Sequence, residues 1–306
     1  MREFSRVAFV LGLAGSLLTW VQPQAQVPPQ GQAPSPKIEN EGDFDRTLME
    51  ATFRIEGGGE GGTPVSATGF LMGRPYQKDP TKGRYVLITA GHVLEDIRSD
   101  FITVYSRKEM GSDRWVKIPF RVVIRANGRP VYTKLSDADV AVIYVTLPDD
   151  VTPPLISTDN LADDELLKKF DVHPGDEVRC LGYPLGLEAN DAGFPVLRSG
   201  KIASYPLVPT DVNKTFLFDF KVFKGNSGGP VYFLDRNRSY QGSMHLGQTV
   251  HFIIGLVSGE ELFSQRIPGV YSDEVRQLQL DIGIVVHASQ IKKAIALLPA
   301  PDSLPN

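Results

Sequence analysis

The chain has 306 residues, 42% of them hydrophobic and 22% charged, the balance of a folded protein with a sizeable core. Lysine plus arginine number 32 against 36 acidic residues, so no basic surplus exists to carry sequence-independent nucleic-acid binding. A single cysteine, Cys180, excludes intrachain disulfides and any cysteine-built zinc site, while 29 glycines and 23 prolines favour short strands and turns over a helical bundle.

Arg2 and Arg6 precede an uncharged apolar run, Val7 to Val21. That run is short of the ~20 residues of a spanning helix and fits the core of a signal peptide. A signal peptide is expected over 1–25, although Pro23 occupies a position where a small residue is preferred, and an uncleaved anchor is the alternative. Residues 26–41 form a Pro- and Gln-rich linker that cannot bury a core. The folded domain is expected over 42–299 and a tail over 300–306, with no stable membrane span once the signal is removed. Export of a chain that can form no disulfide suits a secreted or periplasmic protein of a bacterial envelope.

Strand-like runs follow in order: Ala51 to Glu56, Ala67 to Met72, Arg84 to Thr89, Phe101 to Ser106, Trp115 to Ile124 and Val140 to Leu147. The last is almost unbroken in its apolar character, as a strand buried on both faces would be. The glycine run Gly57 to Gly62 lacks a following Lys-Ser/Thr and reads as a loop, not a phosphate site. A Pro- and Asp-rich stretch, Pro148 to Asp164, looks like a connection between two halves. Strands resume at Glu177 to Leu181, Lys201 to Ser204, Thr215 to Phe223, Val231 to Leu234, Phe252 to Ser258 and Ile282 to Val286. Phe216, Phe218, Phe220 and Val222 alternate onto one face. Helical signals are few: one within Leu161 to Phe170, and a last helix with Ser289 as its cap and Ile291, Ile295 and Leu298 as an apolar stripe. The expected fold is all-β, two antiparallel six-stranded β-barrels (about 50–150 and 175–288) with a C-terminal helix.

Three segments carry chemistry. Thr89-Ala90-Gly91-His92-Val93 follows one apolar strand, Asp139-Val140-Ala141-Val142 heads another, and Gly225-Asn226-Ser227-Gly228-Gly229-Pro230 lies between two more. A serine hydroxyl needs a base to take its proton, and a buried carboxylate fixes the tautomer of that base. The anion that then develops needs fixed donors, which the backbone N–H groups of Gly225 and Ser227 can supply at a glycine-rich turn. Ser227 also fits the nucleophile-elbow pattern of α/β-hydrolases, but there the order is Ser, Asp, His and a helix follows the serine. Here the order is His, Asp, Ser, and Pro230 opens a strand. His173, His245, His251 and His287 lack metal-ligand spacing, and His92 with Glu95 makes no metal site.

With these motifs the chain resembles trypsin-like (chymotrypsin-fold) serine proteases, and more closely the protease domain of bacterial HtrA-type enzymes. The resemblance runs from about Thr52 to Leu298 and includes Thr68-Gly69-Phe70-Leu71, Ser136-Asp137-Ala138-Asp139, Gly182-Tyr183-Pro184-Leu185-Gly186 and Asp219. It implies a serine endopeptidase acting on protein or peptide substrates without a cofactor. His92 would be the general base, Asp139 its orienting carboxylate with Asp137 as runner-up, and Ser227 the nucleophile. Gly225 and Ser227 would form the oxyanion hole. Asn226 stands where trypsin has the aspartate that pairs with a new N-terminus, so activation by that salt bridge is not expected. The chain ends at Asn306, before any PDZ domain of the HtrA type. By the same resemblance Ser258, Gly259 and Glu260 would form the edge that pairs with substrate backbone. Lys221 would lie at the floor of the primary specificity pocket, favouring acidic residues, or else pair with Asp219. The competing class is a catalytically silent protease-like peptide-binding protein, and an esterase of the same fold is the third.

Overall fold

Period-two alternation of apolar side chains, punctuated by glycine turns, gives strands whose inward faces need a second layer or a closed barrel to cover them. A computed structural model describes residues 43–79, 82–149, 151–245, 247–267 and 274–303. The expected signal peptide and the linker lie outside the described residues, as does Asn306. No described helix is long and apolar enough to cross a membrane.

Among the described residues, seven strands build the main sheet of the first half: β1 (Thr52–Gly58), β2 (Pro64–Pro75), β3 (Gly83–Thr89), β4 (Phe101–Glu109), β5 (Trp115–Val123), β6 (Thr133–Lys134) and β7 (Ala141–Val145), with a two-residue hairpin, Arg125–Ala126 and Arg129–Pro130, apart from it. The seven pair antiparallel in the order β5-β4-β1-β2-β3-β7-β6. The strand beyond the six expected is β6, whose two residues pair with Ala141 and Val142 at the sheet edge. Of the run Val140 to Leu147, only Val140, Ala141, Val142 and Ile143 are buried; the strand ends at Val145 and Thr146 is exposed, so burial on both faces holds for the first half of the run alone. The glycine run is the β1–β2 turn, closed by the Gly59 N–H donating to the Thr63 carbonyl (2.7 Å).

The second half is a closed barrel of β8 (Glu177–Gly182), β9 (Val196–Ile202), β10 (Thr215–Asp219), β11 (Pro230–Asp235), β12 (Val250–Ile267) and β13 (Glu274–His287), in the order β8-β9-β10-β13-β12-β11. Phe216, Phe218, Phe220 and Val222 all face inward, although the strand itself ends at Asp219. Each such side chain contributes about 1.5–3 kcal/mol by leaving water. Phe233 and Phe252 stack across β11 and β12, with ring centroids 5.1 Å apart.

The β12–β13 hairpin runs further than the apolar pattern indicates. Its distal part, Leu262–Arg266 paired with Val275–Gln279, is exposed on both strands and so lacks the buried face that marks a strand in sequence. Two helices have no counterpart in the sequence reading: α1 (Asp43–Ala51) and α2 (Gly91–Asp96). The helix expected near Leu161 is α3 (Asp164–Lys169), capped by the Asp163 carboxylate, which accepts from the Leu166 N–H (3.0 Å). The last helix, α4 (Ala288–Leu297), starts directly off β13. His287, in extended conformation, takes the cap position, so Ser289 is not the cap but a buried residue of the first turn. The stripe Ile291, Ile295 and Leu298 is buried.

Both helical ends of the domain tie the halves together. Tyr144 on β7 donates to the Pro299 carbonyl just past α4 (2.8 Å). On α1, Asp45 accepts from Arg179 of β8 (2.6 Å) and from the Tyr232 hydroxyl of β11 (2.5 Å).

Candidate active site

His92 is the second residue of α2, whose N-cap, Ala90, offers no side-chain acceptor. The orphan N–H groups of such a short helix need partners from elsewhere. Asp139, at the mouth of β7, supplies one: its Oδ1 accepts from the His92 backbone N–H (2.8 Å) and its Oδ2 meets His92 Nδ1 (2.7 Å). With Nδ1 so engaged, Nδ1–H is the assigned tautomer and Nε2 is left as the basic nitrogen. The hydrogen bond that His92 donates to Asp139 raises the imidazole pKa above its ordinary value, against the opposing pull of burial. Burial pushes the Asp139 carboxyl upward, but the His92 ring and its charge, the Ser258 hydroxyl and the His92 N–H outweigh it. The net position is below the usual carboxylate value. Asp137 points elsewhere: it is exposed and held by Lys214 Nζ at 2.5 Å, so Asp139 is the carboxylate beside His92.

Ser258 enters this site by a route the sequence does not announce. The β12–β13 register passes from Val257↔Val285 to Gly259↔Ile284, leaving Ser258 as an extra, bulged residue. A bulge re-aims a side chain out of the ladder. The Ser258 hydroxyl therefore reaches Asp139 Oδ2 at 2.5 Å, and the Ser258 carbonyl accepts from the Ser227 hydroxyl at 3.3 Å. One residue thus spans from the carboxylate to Ser227. A serine at a strand end has no signature of this role; only the bulge creates it. The neighbouring Gly259 and Glu260 pair with Ile284 and Gly283 on one edge. On the other edge, the β11 partnership ends at Pro230↔Leu256, which leaves Ser258 to Glu260 without a strand partner on that side among the described residues.

The loop carrying Ser227 is pinned on both sides. The Thr68 N–H of β2 donates to the Ser227 carbonyl (3.0 Å), and the Gly228 N–H donates to Val257 (2.7 Å). Gly225 has φ +97°, and a Cβ there would lie 2.1 Å from the Tyr183 carbonyl, so only glycine fits. The Asn226 N–H donates to Phe223, while the Gly228 and Gly229 N–H groups donate to Val257 and Asn226. Among the described residues, the N–H groups of Gly225 and Ser227 take no internal acceptor. Asn226 is buried, and its side-chain oxygen accepts from the Phe223 N–H (3.0 Å), so the loop is closed by its own side chain.

Lys221 is not paired with Asp219. It sits 3.1 Å from Asp281 of β13 and 5.6 Å from the Phe223 ring centroid. The strand register explains this: β10 has ended at Asp219, opposite Ile282, and Lys221 in the following loop falls beside the next residue along β13. Glu95 is engaged by Lys134 Nζ at 2.6 Å.

A family model described as the trypsin-like peptidase domain matches residues 67–238, a span that contains His92, Asp139 and Ser227. Among solved structures, the active form of the Rv3671c protease from M. tuberculosis is 19% identical, with a TM-score of 0.44, covering 94% of this chain and 97% of that chain. The protease Anisep from Arthrobacter nicotinovorans is 15% identical, with a TM-score of 0.43, covering 81% of this chain and 95% of that chain. Comparison with curated proteins gives no match. The family model spans more than half of the chain, and the chain belongs to the trypsin-like peptidase family.

Proposed function

We propose that the protein is a serine endopeptidase in which His92, Asp139 and Ser227 act as a triad. The observation that carries this is the doubly bound His92–Asp139 pair, linked through Ser258 to a serine on a loop with two unengaged N–H groups. For attack, the Ser227 hydroxyl turns from the Ser258 carbonyl toward His92 Nε2 and gives up its proton as the Oγ–carbon bond forms. The N–H groups of Gly225 and Ser227 receive the oxyanion. His92 then hands the proton to the departing amine, leaving an acyl-enzyme that water cleaves by the same route in reverse. Substrate backbone upstream of the cut would lie along the free edge at Ser258, Gly259 and Glu260, and Lys221 with its Asp281 partner would face the first side chain. An envelope location follows from the N-terminal segment as read from the sequence and stands as part of the proposal.

A fluorophosphonate probe tests the assignment, because it reacts only with an activated serine. Residues 40–306 are expected to label, and Ser227→Ala to abolish labelling. No labelling of the unsubstituted protein, with folding verified, favours the silent peptide-binding alternative and overturns the proposal.

The pH dependence carries a sign. The base must be neutral, so kcat/KM rises with pH through the His92 pKa, with a midpoint above the free-histidine value of about 6.5. Asp139→Asn removes the cause of the upward shift and moves the midpoint to lower pH, while kcat falls by about 10⁴-fold through loss of the correct tautomer. Peptide hydrolysis measured from acid to alkaline pH checks both.

A further inference from the structure

Arg107, on β4 of the first half, is 4% exposed. Its Nη2 donates to the carbonyls of Met49 (3.0 Å), Glu50 (2.9 Å) and Thr52 (2.6 Å), and its Nη1 to the Gly193 carbonyl (2.7 Å) and the Tyr183 hydroxyl (3.2 Å). The guanidinium also lies against the rings of Phe53 and Phe194, 4.7 and 4.4 Å from their centroids. None of these acceptors is a carboxylate. Burying a charge among neutral groups is costly, and an apolar side chain would fill the space with less penalty. What only a guanidinium supplies is a rigid fork that holds several acceptors at fixed positions. Two of them are end carbonyls of α1, which the helix itself leaves unsatisfied.

The acceptor that matters is Tyr183. Its side chain is fully buried, and its hydroxyl lies 3.1 Å from the Thr52 carbonyl and 3.0 Å from Gly193, both already held by Arg107. Its backbone is the bed of the oxyanion loop. The Tyr183 N–H donates to Thr68 Oγ1 (3.2 Å), which donates to the Gly225 carbonyl (2.6 Å). The Tyr183 carbonyl abuts Gly225, and the Leu185 N–H donates to Lys224 (2.6 Å). We infer that Arg107 is a positioning residue for the reaction: by clamping Tyr183 between α1 and the Gly193 turn, it fixes the backbone on which Gly225 and Ser227 present their N–H groups. The inference rests on the serine-peptidase reading of the site.

The test separates positioning from mere packing. Arg107→Met and Tyr183→Phe are compared with the unsubstituted protein on a fluorogenic peptide amide, with active sites titrated by fluorophosphonate, and on a peptide boronate whose B–OH occupies the oxyanion position. Arg107→Met is expected to lower kcat per titrated site by about 10–100-fold, below the ~10²–10³-fold cost of deleting an oxyanion donor outright. KM should stay within about twofold, and boronate affinity should fall with kcat, as a loss confined to the transition state requires. Tyr183→Phe keeps the ring and deletes only the hydroxyl; it should move kcat and boronate affinity in the same direction by a smaller factor, and it decides the matter should Arg107→Met fail to fold. Unchanged kcat per site in the folded variants, with normal turnover in the unsubstituted protein, overturns the positioning role alone. An unsubstituted protein that turns over no peptide overturns the underlying reading as well.

Discussion

Ser227→Ala and His92→Ala are each expected to lower kcat by about 10⁶-fold, and the double variant to be no worse than either single one. The non-additivity is the informative part. Ser227 without a base is a weak nucleophile, and His92 without a hydroxyl has no proton to take, so removing one removes the use of the other. Residual hydrolysis of about 10³–10⁴-fold over water should survive in all three, because binding and the N–H groups of Gly225 and Ser227 are untouched. A double variant whose loss is the product of the single losses would mean that the two side chains act independently, which a proton relay excludes. The measurement is single-turnover hydrolysis of an activated peptide ester, sensitive enough to follow the slow variants.

Much of this framework was legible in the sequence because its core strands are apolar and punctuated by turns. Phe216, Phe218 and Phe220 announce their common face by alternation alone, and that face is buried. The contacts that depend on strand register, Ser258 to Asp139 and Lys221 to Asp281, were not legible, since they join residues far apart in the chain. Asp139 and Asp137 differ by two positions; the apolar Val140-Ala141-Val142 run favours Asp139 already in the sequence, and the fold turns it toward His92 and Asp137 toward Lys214. The Lys221–Asp281 pair depends on where β10 stops, which a run of inward Phe and Val residues conceals by continuing past the strand end. Helix α2 is six residues long and starts on a glycine without a capping side chain, so it lacks the usual signals. Helix α1 did leave a trace: Phe44, Leu48 and Ala51 recur at helical spacing and are all buried. That stretch borders the Pro- and Gln-rich linker, whose composition masks it.

The second large effect concerns Gly228, where the two halves touch. Its φ is +85°, and a Cβ there would stand 2.2 Å from both the Thr68 carbonyl of β2 and the Thr89 hydroxyl of β3, and 2.9 Å from the Ala90 nitrogen. These neighbours cannot retreat freely. Thr89 Oγ1 donates to that same Thr68 carbonyl (2.8 Å), and Ala90 caps the helix that carries His92. Gly228→Ala therefore adds a steric clash to the backbone strain and is expected to cost about 3 kcal/mol or more. For a domain of this size that lowers Tm by roughly 6–12 °C. Gly111→Ala is the control, because Gly111 has nearly the same φ, +83°, with nothing within 4 Å of a Cβ. Only strain acts there, and the expected loss is about 1 kcal/mol. Activity should separate the two further: Gly111→Ala keeps full kcat, whereas Gly228→Ala pushes β2 and α2 apart from the serine loop and loses turnover even below its Tm. Equal Tm shifts for the two variants would show that the contact between the halves at Gly228 yields without cost, and that the spacing of His92 and Ser227 is set elsewhere.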